Sequence, residues 1–306
     1  MRKIVALVLV GLGVFLVVAG IVARAWAPGQ IERTPLDTDN TTYLSGTAQV
    51  PNADLQLEKT PVLAWSTNKA DADASDEDVV AFATSLCLVR DADGIDGCVD
   101  GDDPRLISAE TDVFAADRHT GLTVDDPQYL PADAPHEEGL QNKWPFGAER
   151  KTYPVWDGVV GAAVDATYEG TEKIDGLETY VYRAVANADG VDVVADLPGS
   201  YASSTEYYIE PRTGAIINQV IHQQRVADGV GTVLDLDLAF TAGQVQTNVD
   251  DARDNLSLLT LIESTVPVVG LAVGIPLVLV GLGLLLLGRR RIEQLDPERA
   301  QELSGV

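Results

Sequence analysis

The chain is apolar without interruption near both ends, and apolar and polar residues alternate over much of what lies between. Residues 4–23 form one apolar run, preceded by Arg2 and Lys3. Residues 266–287 form another, followed by Arg289, Arg290 and Arg291. At about 1.5 Å of rise per residue, a helix of about 20 residues reaches the roughly 30 Å of a hydrocarbon core. Both runs are therefore expected to be transmembrane helices. The segments 60–66, 79–90, 106–115, 161–168, 179–186, 204–209, 215–226 and 230–240 read as strands instead. They are rich in Val, Thr and Tyr, alternate in places, and are bounded by Gly, Asp and Pro. The expected fold is a mainly β extracytoplasmic domain flanked by N- and C-terminal transmembrane α-helices. Its divisions are 1–24 for the first helix, 25–249 for the β-rich domain, 250–288 for a helix leading into the second span, and 289–306 for a cytoplasmic tail.

Turn chemistry refines the pattern. Asp175-Gly176 and Asp228-Gly229 each sit between two strand-like runs, where a tight hairpin is expected. On residues 177–186, Tyr180, Tyr182 and Ala184 should share one face, with Val181, Arg183 and Val185 on the other. The acidic, Ala-rich stretch 71–77 reads as a loop or a helix entrance. A weak repeat links Phe114 to Gly121 with Tyr208 to Gly214, if one residue slips: in each, a strand runs into Arg and Thr-Gly before an apolar strand resumes. This suggests two related β lobes, 30–130 and 148–249, dividing near the Pro- and Gly-rich segment 131–147. Two unrelated hairpins with a common turn would look the same.

Charge then sets the surroundings. The chain carries 47 Asp and Glu against 21 Lys and Arg, a formal charge of −26, and almost all the acidity lies between the two apolar runs. Nucleic acid is excluded as a partner, because phosphate binding needs clustered cations. The basic residues flank the outer ends of both apolar runs, which places both termini in the cytoplasm and the main domain outside a cell membrane. A cleaved signal peptide is the competing reading of the first run, with Ala25-Trp26-Ala27 resembling a cleavage site. The length of the run and Pro28 favour an uncleaved anchor. Cys87 and Cys98 are the only cysteines. In an oxidising compartment they are expected to pair as a structural disulfide.

Candidate chemistry is sparse. His119, His136 and His222 are scattered, and no nucleophile elbow, phosphate loop or zinc-protease motif appears. The expectation is a protein that is not an enzyme. Two binding candidates remain. The loop holding Asp91, Asp93, Asp96, Asp100 and Asp102 has the residue types calcium takes, although its spacing departs from an EF-hand. Trp144, Phe146, Tyr153 and Trp156 form the densest aromatic cluster; they either plug the β domain or line a groove for a lipid or glycan. Gly270 and Gly274 present a small-xxx-small face on the second span through which an oligomer could pack.

Several motifs taken together resemble an actinobacterial family described as porin PorA-like, over nearly the whole chain. They are the first span ending in Arg24, Pro35-Leu36-Asp37, Cys87-Leu-Val-Arg90 with Cys98, Asp117-Arg-His-Thr-Gly121, Trp144-Pro-Phe-Gly147, Lys151-Thr-Tyr-Pro-Val-Trp-Asp-Gly158, Ile174-Asp-Gly-Leu177 and Tyr208-Ile-Glu-Pro-Arg-Thr-Gly214. The resemblance implies a pore-forming or transport component and supplies no catalytic residues. The strands read differently: they carry much Asp and Glu, which a lipid-facing barrel wall does not tolerate, and the two apolar runs already do the membrane work. The leading expectation is a non-enzymatic, membrane-anchored protein of the bacterial cell envelope that binds or organises a lipid or glycan. A pore component is the first alternative and an envelope hydrolase the second.

Overall fold

In the computed structural model, residues 2–302 are described apart from 53, 55, 93, 195 and 196. The chain forms two compact units. One is Glu32–Asn255; the other combines the N-terminal residues through Ile31 with those from Leu256 onward.

The larger unit is one antiparallel sheet of ten strands in the order β4-β3-β2-β1-β10-β9-β8-β7-β6-β5. The strands are β1 Asp39–Pro51, β2 Leu57–Asp71, β3 Val79–Arg90, β4 Leu106–Asp117, β5 Tyr153–Asp157, β6 Ala162–Ile174, β7 Leu177–Val194, β8 Leu197–Ile209, β9 Ile216–Ala227 and β10 Gly231–Phe240. Consecutive strands pair as hairpins except β4 and β5, which form the two edges, and β1 pairs with β10 from Leu44↔Phe240 to Gln49↔Asp235. The segments expected as separate lobes thus join in a single sheet. The cause lies in β1, whose Gly, Thr and Asn content hid it as a strand. Gly46 is required there: a Cβ would lie 1.9 Å from the Asp237 carbonyl oxygen of β10.

The two faces of the sheet differ in kind. One row across six strands is Ala184, Thr205, Ile221, Leu238, Gly46 and Val62. Four of these are buried and two half-buried. The adjacent row is Val185, Ser204, His222, Asp237, Thr47 and Pro61, and none is buried. Because side chains alternate across a strand, these rows belong to an apolar inner face and a largely polar outer face. On the outer face Arg183 pairs with Glu169 and Glu206, and His222 with Asp237. On the inner face Leu44, Ala48, Val62, Leu88, Leu236 and Leu238 form one cluster, and Trp144, Tyr182, Ala184, Tyr207 and Ile209 another.

Two short segments link the sheet's edge strands. Val124 N–H donates to Ala115 of β4 (2.8 Å), and Thr123 N–H to the Gly139 carbonyl (2.9 Å). Leu140 N–H then donates to Pro154 of β5 (2.8 Å), and Trp156 N–H to Leu140 (2.9 Å). Backbone hydrogen bonds therefore run from β4 round to β5, covering edges that would otherwise be unpaired. Pro154, which cannot donate to a ladder, is tolerated because β5 is an edge strand.

In the smaller unit, α1 (Arg2–Ala25) is followed by the short α2 (Pro28–Ile31). α3 (Ala242–Thr260), which begins in the larger unit, carries the chain on to a π-helical turn at Leu261–Thr265 and α4 (Val266–Glu302). Segments 3–25 and 242–287 are each long and apolar enough to cross a membrane. α3 starts eight residues earlier than its hydrophobic pattern suggests. Thr241 Oγ1 caps it by accepting from Gln244 N–H at 3.1 Å, a signal the sparse apolar stripe concealed. α1 and α4 pack antiparallel through glycines. A Cβ on Gly13 would lie 2.7 Å from the Gly274 carbonyl oxygen, one on Gly270 would lie 2.6 Å from that of Leu16, and one on Gly281 2.9 Å from that of Ala6. The face of Gly270 and Gly274, expected to serve an oligomer, is therefore occupied by α1 of the same chain.

Candidate functional site

The aromatic cluster is divided by the fold. Trp144 is fully buried, and its ring lies 5.5 Å from that of Tyr182 and 4.7 Å from that of Tyr207. Tyr153 is buried edge-on to Tyr182 at 5.7 Å. Phe146 and Trp156 are half-buried. Burying a large ring is strongly favourable, and these rings stabilise each other beyond area alone. Tyr182 donates to the Glu149 carbonyl (2.6 Å), and Tyr153 accepts from Glu149 N–H (2.8 Å), so the phenols tie the segment after Trp144 to the sheet. Burial pushes the Tyr182 and Tyr207 hydroxyls above the usual phenol range. The Trp144 indole N–H is buried without a hydrogen-bond partner among the described residues.

Two matching turns clasp this plug. In the first, Asp117 Oδ1 accepts from His119 N–H, Thr120 N–H and Thr120 Oγ1, and Gly121 follows at φ +71°. In the second, Glu210 accepts from Arg212 N–H, Thr213 N–H and Thr213 Oγ1, and Gly214 follows at φ +72°. Each carboxylate stands three residues before the Thr and four before the Gly. The repeat seen in the sequence is thus real in geometry, and it aligns Asp117 with Glu210 with no slip. Phe146 N–H donates to His119 in one turn at 3.3 Å. Trp144, Gly147 and Ala148 N–H donate to Gly214, Arg212 and Pro211 in the other at 2.9, 3.0 and 2.7 Å. Gly214 admits the plug: a Cβ there would lie 2.0 Å from the Trp144 carbonyl oxygen.

Two ionisable groups beside the plug escaped the sequence reading. Glu137 is 5% exposed, and Gln141 donates to its Oε2. Burial first, and then the neighbouring Asp112 carboxyl of β4, raise Glu137 to about 8, and Glu137 Oε1 has no hydrogen-bond partner among the described residues. A hydrolase would require two such carboxyls in reach of substrate, yet Glu137 is buried within the segment that links the sheet edges, two residues before Gly139. Lys143 is held down to about 7 by burial alone, with its ammonium 3.5 Å from the centre of the Phe146 ring. No local motif marked either residue; both depend on contacts made only in the fold.

The acidic loop is pinned as expected by a disulfide between Cys87 and Cys98, with 5.9 Å between their Cα atoms. Asp91 N–H donates to the Pro61 carbonyl, and Asp93 lies outside the described residues. Among the described residues no three His, Cys, Asp or Glu converge to hold a metal ion. Nearby Asp103 is instead committed to Arg105 by two hydrogen bonds of 2.9 and 2.7 Å, which hold its carboxyl down at about 2.

The chain matches a family model over most of its length and a curated relative over about a third of it. The family described as Porin PorA matches residues 5–283. A protein described as Porin PorA from Corynebacterium amycolatum is 30% identical over 121 residues, which cover 35% of this chain. The match spans only 29% of that relative's own length. With the family match running from within the first apolar helix to the second, this chain belongs to the Porin PorA family.

Proposed function

We propose that the protein is a non-enzymatic component of the bacterial cell envelope, anchored by α1 and α4 with both termini cytoplasmic, whose sheet domain binds an amphiphilic envelope molecule outside the membrane. The observation that carries this reading is the polarity of the sheet. A barrel that spans a membrane turns an apolar band outward and polar residues inward. Here Leu236, Leu238 and Val62 point inward, while Arg183, His222 and Asp237 point outward. Such a domain is suited to water outside and apolar material within. The test is mass spectrometry of material extracted from the full chain purified in nanodiscs. Recovery of one amphiphile class above empty-nanodisc background supports the reading, and recovery of none overturns it.

The family description favours a second reading, a pore. Any such path would be built from the helices, since the outward row of the sheet is polar. Planar-bilayer recordings of the purified chain test it: unitary conductance steps would support a pore, and a silent bilayer would leave the binding reading standing.

A further inference from the structure

The end of the sheet opposite its chain termini carries an arginine that the plug and the family match leave unexplained. Arg225 of β9 stands opposite Tyr201 of β8 and Leu234 of β10, both buried, so it belongs to the apolar inner face. Its Nη1 donates to the Val193 carbonyl at 3.2 Å, while its Nε is buried with no partner among the described residues. No described carboxylate pairs with it, although the chain has a formal charge of −26. Asp157, joined to this face through Tyr201, accepts from the Tyr201 hydroxyl at 3.0 Å and from Val159 and Val160 N–H. Gln223 Nε2 in turn donates to Tyr201 at 3.0 Å.

An arginine kept on an apolar face without a carboxylate costs desolvation that an anion would offset. Its surroundings say what else the anion must carry. Val159, Val160, Val191 and Val233 are only partly buried and pack around Tyr201 and Val193. Val194, Leu197 and Val230 are exposed at the neighbouring hairpin ends. A small hydrated anion gains nothing from such a rim, whereas an aliphatic body does.

We propose that Arg225 receives the single anionic head, carboxylate or phosphate, of an amphiphile whose apolar body lies against the Val159, Val160, Val191 and Val233 rim. This assignment rests on the binding reading above and names its ligand class. Guanidinium suits it because planar N–H pairs match both oxyanions.

The test uses the full chain in nanodiscs, with empty nanodiscs as background, and compares palmitate with hexadecanol, which differ only in the head. A charge-assisted pair contributes about 1.5–3 kcal/mol, so palmitate should bind about ten- to a hundredfold tighter than hexadecanol. Arg225→Gln should bring that ratio close to one, and Arg225→Lys should retain part of it. A lysophosphatidate arm identifies which head competes better. Acetate and inorganic phosphate should fail to displace palmitate; effective displacement by either would overturn the amphiphile as ligand. A wild-type ratio near one, or a ratio untouched by Arg225→Gln, would overturn the role of Arg225 while leaving amphiphile binding intact. Binding of neither probe would overturn the underlying reading as well. Should the variant fail to fold, the wild-type ratio still decides.

Discussion

At the scale of single residues, one chemical type takes different roles according to burial. Trp144 is sealed between Tyr182 and Tyr207, whereas Trp156 is half-buried on an edge strand. Trp144→Ala should therefore cost about 3–5 kcal/mol, and Trp156→Ala clearly less, in urea unfolding of the same preparation. Equal losses would show that Trp144 is not the plug's anchor. Glu137 offers a pH test. Burial and Asp112 raise it from the ordinary carboxylate range to about 8. Across that window the folded domain keeps a proton that the unfolded chain has released, so this group's contribution to stability falls as pH rises. Lys143, lowered to about 7, acts in the opposite sense above pH 7, which makes pH 5–7 the clean interval. Glu137→Gln stays neutral throughout. Its stability relative to wild type should rise between pH 5 and pH 7; a difference that does not change with pH would refute the raised Glu137 carboxyl.

At the scale of elements, tight turns carry information that strand patterns do not. Asp175, at φ +48°, and Gly176, at φ +83°, make the β6–β7 hairpin expected from the Asp-Gly pair. Gly214 and Gly229 have nearly the same φ, +72° and +73°, yet only Gly214 has a neighbour in the way. Gly229→Ala should cost about 1–2 kcal/mol of backbone strain. Gly214→Ala should cost about 1–3 kcal/mol more, since the plug must also shift. Measured melting curves of the pair isolate the clasp from the turn. In the smaller unit, Gly13 and Gly274 approach so closely that Gly274→Leu should loosen α1 from α4, read as lost cross-linking between cysteines placed on the two helices.

At the scale of the whole molecule, the basic flanks of the apolar runs predict one topology. A reporter active only in the cytoplasm should work when fused after Val306 and fail when inserted near Asp189. The reverse result would sink the two-span arrangement. The disulfide belongs to the same prediction: thiol labelling of unreduced protein should find neither Cys87 nor Cys98 reactive.

How much of this was legible in the sequence follows from which signals are local. Length and composition are enough to mark two helices able to cross a membrane, because the thickness of a bilayer sets a requirement that no tertiary contact alters. Alternation and Asp-Gly turns were enough for most strands and for the Tyr182 and Ala184 face, since a pleated strand has a fixed period. The paired carboxylate-Thr-Gly turns left a visible trace for the same reason, being built from neighbours in the chain. β1 was hidden because its close approach to β10 demands Gly46, a residue that reads as a breaker until its partner is known. The single sheet, the Asp112–Glu137 pair and the isolation of Arg225 came only with the fold. Each depends on residues far apart in sequence, and burial, which decides their charge and their use, is a property of the packed structure alone.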